Sequence, residues 1–131
     1  MKGIPSEFND LLADETKAFA ILATIMEDGS PQITPVWFGT DDENFLVNTE
    51  KGRVKDKNMR ARPRVALVIP DPHNPYRYLQ VRGKVVEIEE KGAREHINTL
   101  SKIYLGKPFP LSPETIRVIF KIQPESVDVH T

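Results

Sequence analysis

The chain has 131 residues, of which 39% are hydrophobic and 28% are charged, and its formal net charge is −1. These values indicate a single globular domain, residues 1–131, with a modest core and without the positive field of a general nucleic-acid-binding protein. The absence of cysteine excludes disulfides, thiolate metal sites and cysteine nucleophiles.

The N-terminal segment has no apolar stretch typical of a signal peptide, and no run in the chain reaches the roughly 18 apolar residues of a membrane span. We therefore expect a cytoplasmic protein. Within this segment Phe8, Leu11 and Leu12 lie at helical spacing, which predicts a short helix. Ser6 is its predicted N-cap, because a serine hydroxyl can accept a hydrogen bond from a free backbone N–H.

A meander of three strands follows this helix. The strands are predicted from apolar runs separated by polar turns, over residues 18–25, 32–39 and 44–48. Asp28-Gly29 is a hairpin signal between the first two. Trp37 and Phe38 alternate faces of the second strand, so one of them is predicted to lie in the core.

A dense basic segment, EKGRVKDKNMRARP (residues 50–63), separates the third strand from the fourth. It is rich in helix formers, and Gly52 and Arg53 would lie at the N-terminal end of the helix. Such an end binds anions because its first N–H groups lack partners. Arg53, Lys55 and the hydroxyl of Thr49 would complete a phosphate site. A solvated basic helix remains an alternative, whereas the lack of interleaved aromatics disfavours a nucleic-acid surface.

The rest of the pattern predicts strands over 64–71 and 76–90, an amphipathic helix within 90–106 that is capped by Gly106, and a final strand over 115–130 that is broken near Pro124. The proline-rich segment 70–75 is predicted to be a loop. Gly83 indicates a bulge or a close backbone approach. Because the strands are mostly consecutive and turn-linked, the predicted fold is mainly β: an antiparallel sheet closed into a barrel, with peripheral helices.

No self-sufficient catalytic group emerges from the polar residues. His73, His96 and His130 are too scattered for a metal site, and His96, flanked by charges, is predicted to lie on the surface. No serine has a recognisable base partner. A possible phosphate site beside strands that carry aromatics therefore favours a protein whose chemistry is supplied by a phosphorylated planar cofactor.

Three segments in this order, ILATIMEDGSPQITPVWF, VNTEKGRVKDKNMRARPRVAL and DPHNPYRYLQVRGKVVEI, resemble the pyridoxamine 5'-phosphate oxidase-like split-barrel flavoproteins, in particular their small F420-dependent oxidoreductases. The resemblance covers roughly residues 7–129. It implies a six-stranded antiparallel split β-barrel that forms a homodimer, with FMN or the deazaflavin F420 bound at the subunit interface.

The resemblance also implies roles for individual residues. Arg53 and Lys55 match the phosphate-binding pair, and Asn58 matches the asparagine that follows it. The residues that edge the flavin ring or approach its side chain would be Gln32, Ile33, Thr34, Pro35, Val36, Asn48 and Thr49. Tyr76 and Tyr78 match aromatics that the second subunit brings to the site.

The choice between F420 and FMN depends on additional basic residues. F420 carries a longer anionic tail than FMN, and Lys51, Lys57 and Arg60 could meet it, which favours F420. The resemblance thus predicts an oxidoreductase that transfers a hydride between F420 and an unidentified small conjugated molecule, with no metal. An FMN-dependent oxidoreductase, and a cofactor-binding or storage protein without turnover, are the alternatives.

Overall fold

A computed structural model describes all 131 residues as a curled antiparallel sheet with short helices at its periphery. The strands are β1 (Ala20–Ile25), β2 (Pro31–Val36), β3 (Gly39–Thr40), β4 (Phe45–Glu50), β5 (Arg64–Asp71), β6 (Asn74–Glu89) and β7 (Arg117–His130). The α-helices are α1 (Val54–Ala61) and α2 (Ala93–Leu105), and two 3-10 helices span Ser6–Leu12 and Asp14–Thr16. No helix is long and apolar enough to cross a bilayer.

The curl of the sheet follows from its strand order, β2-β1-β5-β6-β7-β4-β3. If the sheet were flat, its edge strands β2 and β3 would lie about 29 Å apart, since neighbouring strands are about 4.8 Å apart. The chain joins them through Trp37 and Phe38 alone, a link that spans at most about 11 Å. The sheet therefore curls until its edges meet, and the ladder stays open at this seam, which confirms the predicted mainly β split barrel.

The interior of the barrel is built by alternation along the strands. Buried residues occupy every second position of β1 and β4, and Phe45, Phe120 and Leu22 are almost completely excluded from solvent. Phe38 packs against Phe45 in this core, whereas Trp37 points away from it. The prediction that one of these two neighbours lies in the core is confirmed.

Several local predictions need correction. The N-terminal helix is of the 3-10 type, and Ser6 does not cap it but bonds to the carboxylate of Glu7. The predicted loop 70–75 is a tight turn, since β5 and β6 already pair at Asp71 and Asn74. The count of strands is seven because β3, only two residues long, joins the six long ones.

The final strand is not broken at Pro124. β7 runs without interruption from Arg117 to His130, and its register against β6 shifts where Gly83 pairs with Pro124. A proline is tolerated there because a bulge needs no ladder hydrogen bond from its nitrogen. The close backbone approach expected at Gly83 is confirmed, since a Cβ on this residue would lie 2.5 Å from the carbonyl oxygen of Gln123.

Candidate functional site

A cavity of about 410 Å³ lies where β2, β4 and the residue before β1 approach the start of α1, the inner side of α2 and the beginning of β7. Its polar lining residues are Asn48, Thr49, Arg53, Lys55 and Arg117. Its apolar lining residues are Phe19, Pro35, Val36, Trp37, Ile97, Leu100 and Phe109. The cavity thus has one cationic region and one apolar, largely aromatic region, and no carboxylate lines it.

The cationic region consists of Arg53, Lys55 and Arg117, none of which forms an ion pair within the chain. Burial lowers the pKa of Lys55, and the positive charges of Arg53 and Arg117 lower it further. Burial likewise lowers the pKa of Arg117; Glu50 partly opposes this from beyond ion-pair distance, and Arg53 adds to it. Three cations that repel one another in a partly buried site would be stabilised by a bound anion.

The N-terminus of α1 adds backbone donors to this region. Asp56 accepts a hydrogen bond from the N–H of Gly52 (2.9 Å) and another from Nε of Arg60 (2.8 Å), which holds the turn before the helix. Gly52 has φ of +97°, a conformation that favours glycine. The N–H groups of Val54, Lys55 and Asp56 have no acceptor in the chain, as is usual in the first turn of a helix. Free N–H groups beside uncompensated cations suit a phosphate.

Asn48 links the cationic region to α2 through both ends of its amide. Its Oδ1 accepts a hydrogen bond from Nε of Arg117 (2.9 Å), and its Nδ2 donates to the carbonyl oxygen of Ala93 (2.9 Å). Nδ2 also lies 3.0 Å from Nδ1 of His96. Since Arg117 can only donate and the Ala93 carbonyl can only accept, the amide orientation is determined, and Nδ1 of His96 must be the acceptor. His96 is thus a half-buried neutral imidazole, which corrects its predicted surface position.

This arrangement makes the stability of the protein depend on pH through His96. Burial, and secondarily the charge of Arg117, lower the pKa of His96 in the folded protein. The unfolded chain, with an ordinary histidine pKa of about 6.5, therefore binds the proton first as the pH falls. We expect the contribution of neutral His96 to the free energy of unfolding to be complete above about pH 6.5. It should be lost as the pH falls towards the lower pKa of His96 in the folded protein.

Unfolding free energies of wild type and His96→Gln, measured by denaturant titration across this range, test the expectation. Glutamine can still accept from Asn48 but cannot titrate, so the variant should lose less stability on acidification. His73→Gln, in the exposed turn between β5 and β6, is the control. Parallel pH profiles for wild type and His96→Gln would contradict the assignment.

The aromatic wall consists of the lining residues Phe19, Trp37 and Phe109, and Tyr104 packs against two of them. Tyr104 stacks on Trp37 (ring centroids 5.3 Å apart, planes 7° apart) and on Phe19 (5.4 Å, 25°). Phe109 meets the indole edge-on at 6.0 Å. The tyrosine hydroxyl donates to the carbonyl oxygen of Ala18, which fixes the stack to the start of β1. Trp37 therefore faces the cavity from a rigid position.

The structure brings about half of the predicted site residues together. Those that line the cavity are Pro35, Val36, Asn48, Thr49, Arg53 and Lys55. Three others lie on β2 outside it: Gln32 bonds to Thr24 at 3.1 Å, Thr34 is half-buried, and Ile33 is 65% exposed.

The remaining predicted residues have other surroundings. Asn58 is buried and donates to Oγ1 of Thr24 (3.0 Å), so within this chain it joins α1 to β1. Lys51 forms an ion pair with Glu90 at 2.8 Å. Tyr78 stacks on His130 at 5.3 Å, and Tyr76 is 76% exposed, so neither lies in the cavity of its own chain.

Six lining residues were not among the predicted site residues: Phe19, Trp37, Ile97, Leu100, Phe109 and Arg117. Arg117 had a usable signal, because an arginine at the start of an apolar strand needs a partner or a pocket. Phe19 and Phe109 had none, since an aromatic residue next to a strand or in a proline-rich loop is as compatible with the core as with a ligand site.

The fold is shared with solved structures. An F420 reductase superposes with a TM-score of 0.83 at 34% identity, with 95% of this chain and 98% of that chain covered. A conserved hypothetical protein from Mycobacterium tuberculosis gives 0.74 at 23% identity, covering 97% and 85%. A haem storage protein from Vibrio cholerae gives 0.68 at 19% identity, covering 95% and 92%.

No curated protein sequence matches the chain. The sequence profile described as pyridoxamine 5'-phosphate oxidase does match, over residues 4–131. This range contains all the strands, both α-helices and every residue that lines the cavity. The chain therefore belongs to the pyridoxamine 5'-phosphate oxidase family of split-barrel proteins.

Proposed function

We propose that the cavity binds the deazaflavin F420 and that the protein is an oxidoreductase that transfers a hydride between this cofactor and a small conjugated organic substrate. The observation that carries the proposal is the pairing of an uncompensated cationic region with an aromatic wall in one cavity. A ligand that suits both is planar at one end and carries a phosphate at the other.

The residues present fit such a cofactor. Arg53, Lys55 and the free N–H groups of α1 would hold its phosphate, and the end of β2, at Pro35 and Val36, would edge its ring. When bound, the cofactor supplies the ring that carries the hydride. The chain would position the reactants and exclude water, since no aspartate, glutamate or histidine lines the cavity to act as acid or base.

F420 is preferred over FMN because the chain is 34% identical, over almost its whole length, to an F420 reductase. The additional basic residues give less support than the sequence suggested. Lys51 is paired with Glu90 and Arg60 with Asp56, so each already has a carboxylate partner. Only Lys57 remains an exposed, unpaired cation. FMN, whose phosphate suits the same region, is the alternative cofactor.

Fluorescence titration of the purified protein with F420, and in parallel with FMN, tests this proposal. We expect F420 to bind with micromolar or tighter affinity. Tight binding of FMN without any binding of F420 would show that the cofactor is FMN and not F420. If neither cofactor binds, the proposed oxidoreductase function is wrong.

A cofactor-binding or storage protein without turnover is the second candidate, and the absence of an acid or base in the cavity lining is compatible with it. The distinction lies in redox exchange. In an oxidoreductase, the bound cofactor is reduced when a suitable donor is added and oxidised when a suitable acceptor is added. A storage protein keeps the cofactor in one state with every donor and acceptor tried.

We further propose that the protein acts as a homodimer with a cofactor site at each side of the interface. Large apolar side chains remain exposed on three strands of the single chain, namely Ile33, Tyr76, Val86, Ile88 and Val129. A second subunit would cover such residues and would bring Tyr76 and Tyr78 towards the cavity. Sedimentation as a 14.9 kDa monomer at micromolar concentration would contradict this arrangement.

A further inference from the structure

We propose that Arg117 is a third anion-binding residue, held ready by Asn48 and Phe109, and that it binds the cofactor's phosphate together with Arg53 and Lys55. This deepens the proposed function, because the anion is the phosphate of the proposed cofactor. The sequence motif that carries Arg53 and Lys55 does not include Arg117, which begins β7 more than sixty residues away.

Arg117 is held by one side of its guanidinium only. It occupies the first position of β7, directly opposite Glu50 at the end of β4. Its Nε donates to Oδ1 of Asn48 at 2.9 Å, and its guanidinium carbon lies 5.1 Å from the ring centroid of Phe109. The two terminal nitrogens, Nη1 and Nη2, have no hydrogen-bond partner in the chain, although the side chain is half-buried and lines the cavity.

Arginines with a structural role in this chain use terminal nitrogens in hydrogen bonds to other residues. Arg94 donates through Nη1 to the carbonyl oxygens of Ser112 and Thr115. Arg77 uses both terminal nitrogens, on Asp10, Asp71 and the carbonyl oxygen of Glu7. The terminal nitrogens of Arg117 are left unused, and the donors of a guanidinium are fixed in a plane that suits the oxygens of a phosphate.

The supports of Arg117 reduce the entropy that binding would cost. An arginine in solution loses much rotamer freedom when it grips a ligand. Here the bond from Asn48 fixes Nε, and the amide of Asn48 is itself fixed by the carbonyl oxygen of Ala93. The guanidinium packs over Phe109. Its Nη groups are therefore oriented before an anion arrives.

The charge of the site then suits a phosphate. The charge of Arg53 lowers the pKa of both Lys55 and Arg117, that of Arg117 lowers the pKa of Lys55, and no ion pair within the chain relieves any of the three. The negatively charged oxygens of a cofactor phosphate would offset part of this repulsion.

Inorganic phosphate tests anion binding by the cationic region in the absence of the rest of the cofactor. We expect phosphate to raise the melting temperature of the wild-type protein above that in chloride of equal ionic strength. In Arg117→Gln the phosphate-dependent increment should largely disappear, corresponding to affinity about 10-fold weaker or more, because a charge-assisted hydrogen-bonded contact is lost. Arg64→Gln, which removes an exposed arginine on β5, is the matched control and should retain the increment.

A purely structural role gives the opposite pattern. Arg117→Gln would then melt earlier in chloride but would gain as much from phosphate as wild type, and this result overturns the proposal. Arg117→Lys keeps the charge and loses the planar fork, so it serves if the glutamine variant does not fold. A reduced increment in this variant supports the proposal, and an unchanged increment overturns it.

Titration of F420 and FMN into the same variants separates this inference from the proposed function. If neither cofactor binds the wild type but phosphate stabilises it in a manner that depends on Arg117, the inference stands and the oxidoreductase proposal fails. If a cofactor binds wild type and Arg117→Gln equally well, the proposed function stands and the inference fails.

Discussion

Replacing Arg53 and Lys55 together by glutamine is expected to weaken cofactor binding by about 100-fold or more, since each lost charged contact to a phosphate is worth about 1.5–3 kcal/mol. The fold should survive. Both residues line the cavity and form no ion pair. Burial and the neighbouring cations already disfavour the charge on Lys55. Its removal therefore relieves repulsion in the empty protein, and the variant should melt no earlier than wild type.

The measurement is a fluorescence titration with F420, or with FMN if that is the cofactor bound, beside a melting curve in the absence of ligand. Lys84→Gln with Lys91→Gln is the matched control, because it removes the same charge from two exposed positions outside the cavity. An equal loss of affinity in this control would indicate a general electrostatic effect. Undiminished affinity in the Arg53 and Lys55 variant would refute the phosphate site.

Replacing Gly83 by alanine is expected to lower the free energy of unfolding by about 1–3 kcal/mol, the range typical of overpacking. The new methyl group would lie 2.5 Å from the carbonyl oxygen of Gln123 and 3.1 Å from Cγ2 of Ile122. The closer atom belongs to the backbone. Relief therefore requires a shift of the ladder between β6 and β7, the longest in the sheet, and not merely a rotation of one side chain.

Chemical denaturation of Gly83→Ala beside Gly39→Ala measures this effect. At Gly39 on β3 a methyl group would meet His96 and Leu100 at 3.6 and 3.7 Å, which are ordinary contacts. The control should change stability by less than about 1 kcal/mol, as most uncrowded substitutions do. If the two variants lost the same free energy of unfolding, β7 would be able to shift at the bulge without loss of stability.

The sequence alone was informative wherever local pattern and local chemistry agree. Apolar runs between polar turns marked β1 and β4, the helical period marked α2, and the order of glycine, arginine and lysine marked the N-terminus of α1. Each of these signals lies within one element. They were sufficient for the fold class and for the part of the cavity that β4 and α1 supply.

Contacts between distant segments could not be predicted in the same way. Lys51 seemed available to a ligand because its partner, Glu90, lies just after the end of β6, far from it in the sequence. Arg117 had no assigned role because only the pairing of β4 with β7 places it beside Asn48. His96 looked like a surface residue because its neighbours in sequence are charged, whereas its neighbour in space is an amide. One sequence does not contain the register between strands that decides such contacts.

The position of β4 in the sheet also bears on how the protein is made. β4 has only β3 and β7 as neighbours, although two helices and two strands separate it from β7 in the chain. During synthesis β1, β2, β5 and β6 can pair as they emerge, while β4 and β6 each keep an open edge until β7 is complete. The anion site therefore forms late, so its ligand cannot guide the earlier steps, and until β7 is complete these two edges stay open to pairing with another chain.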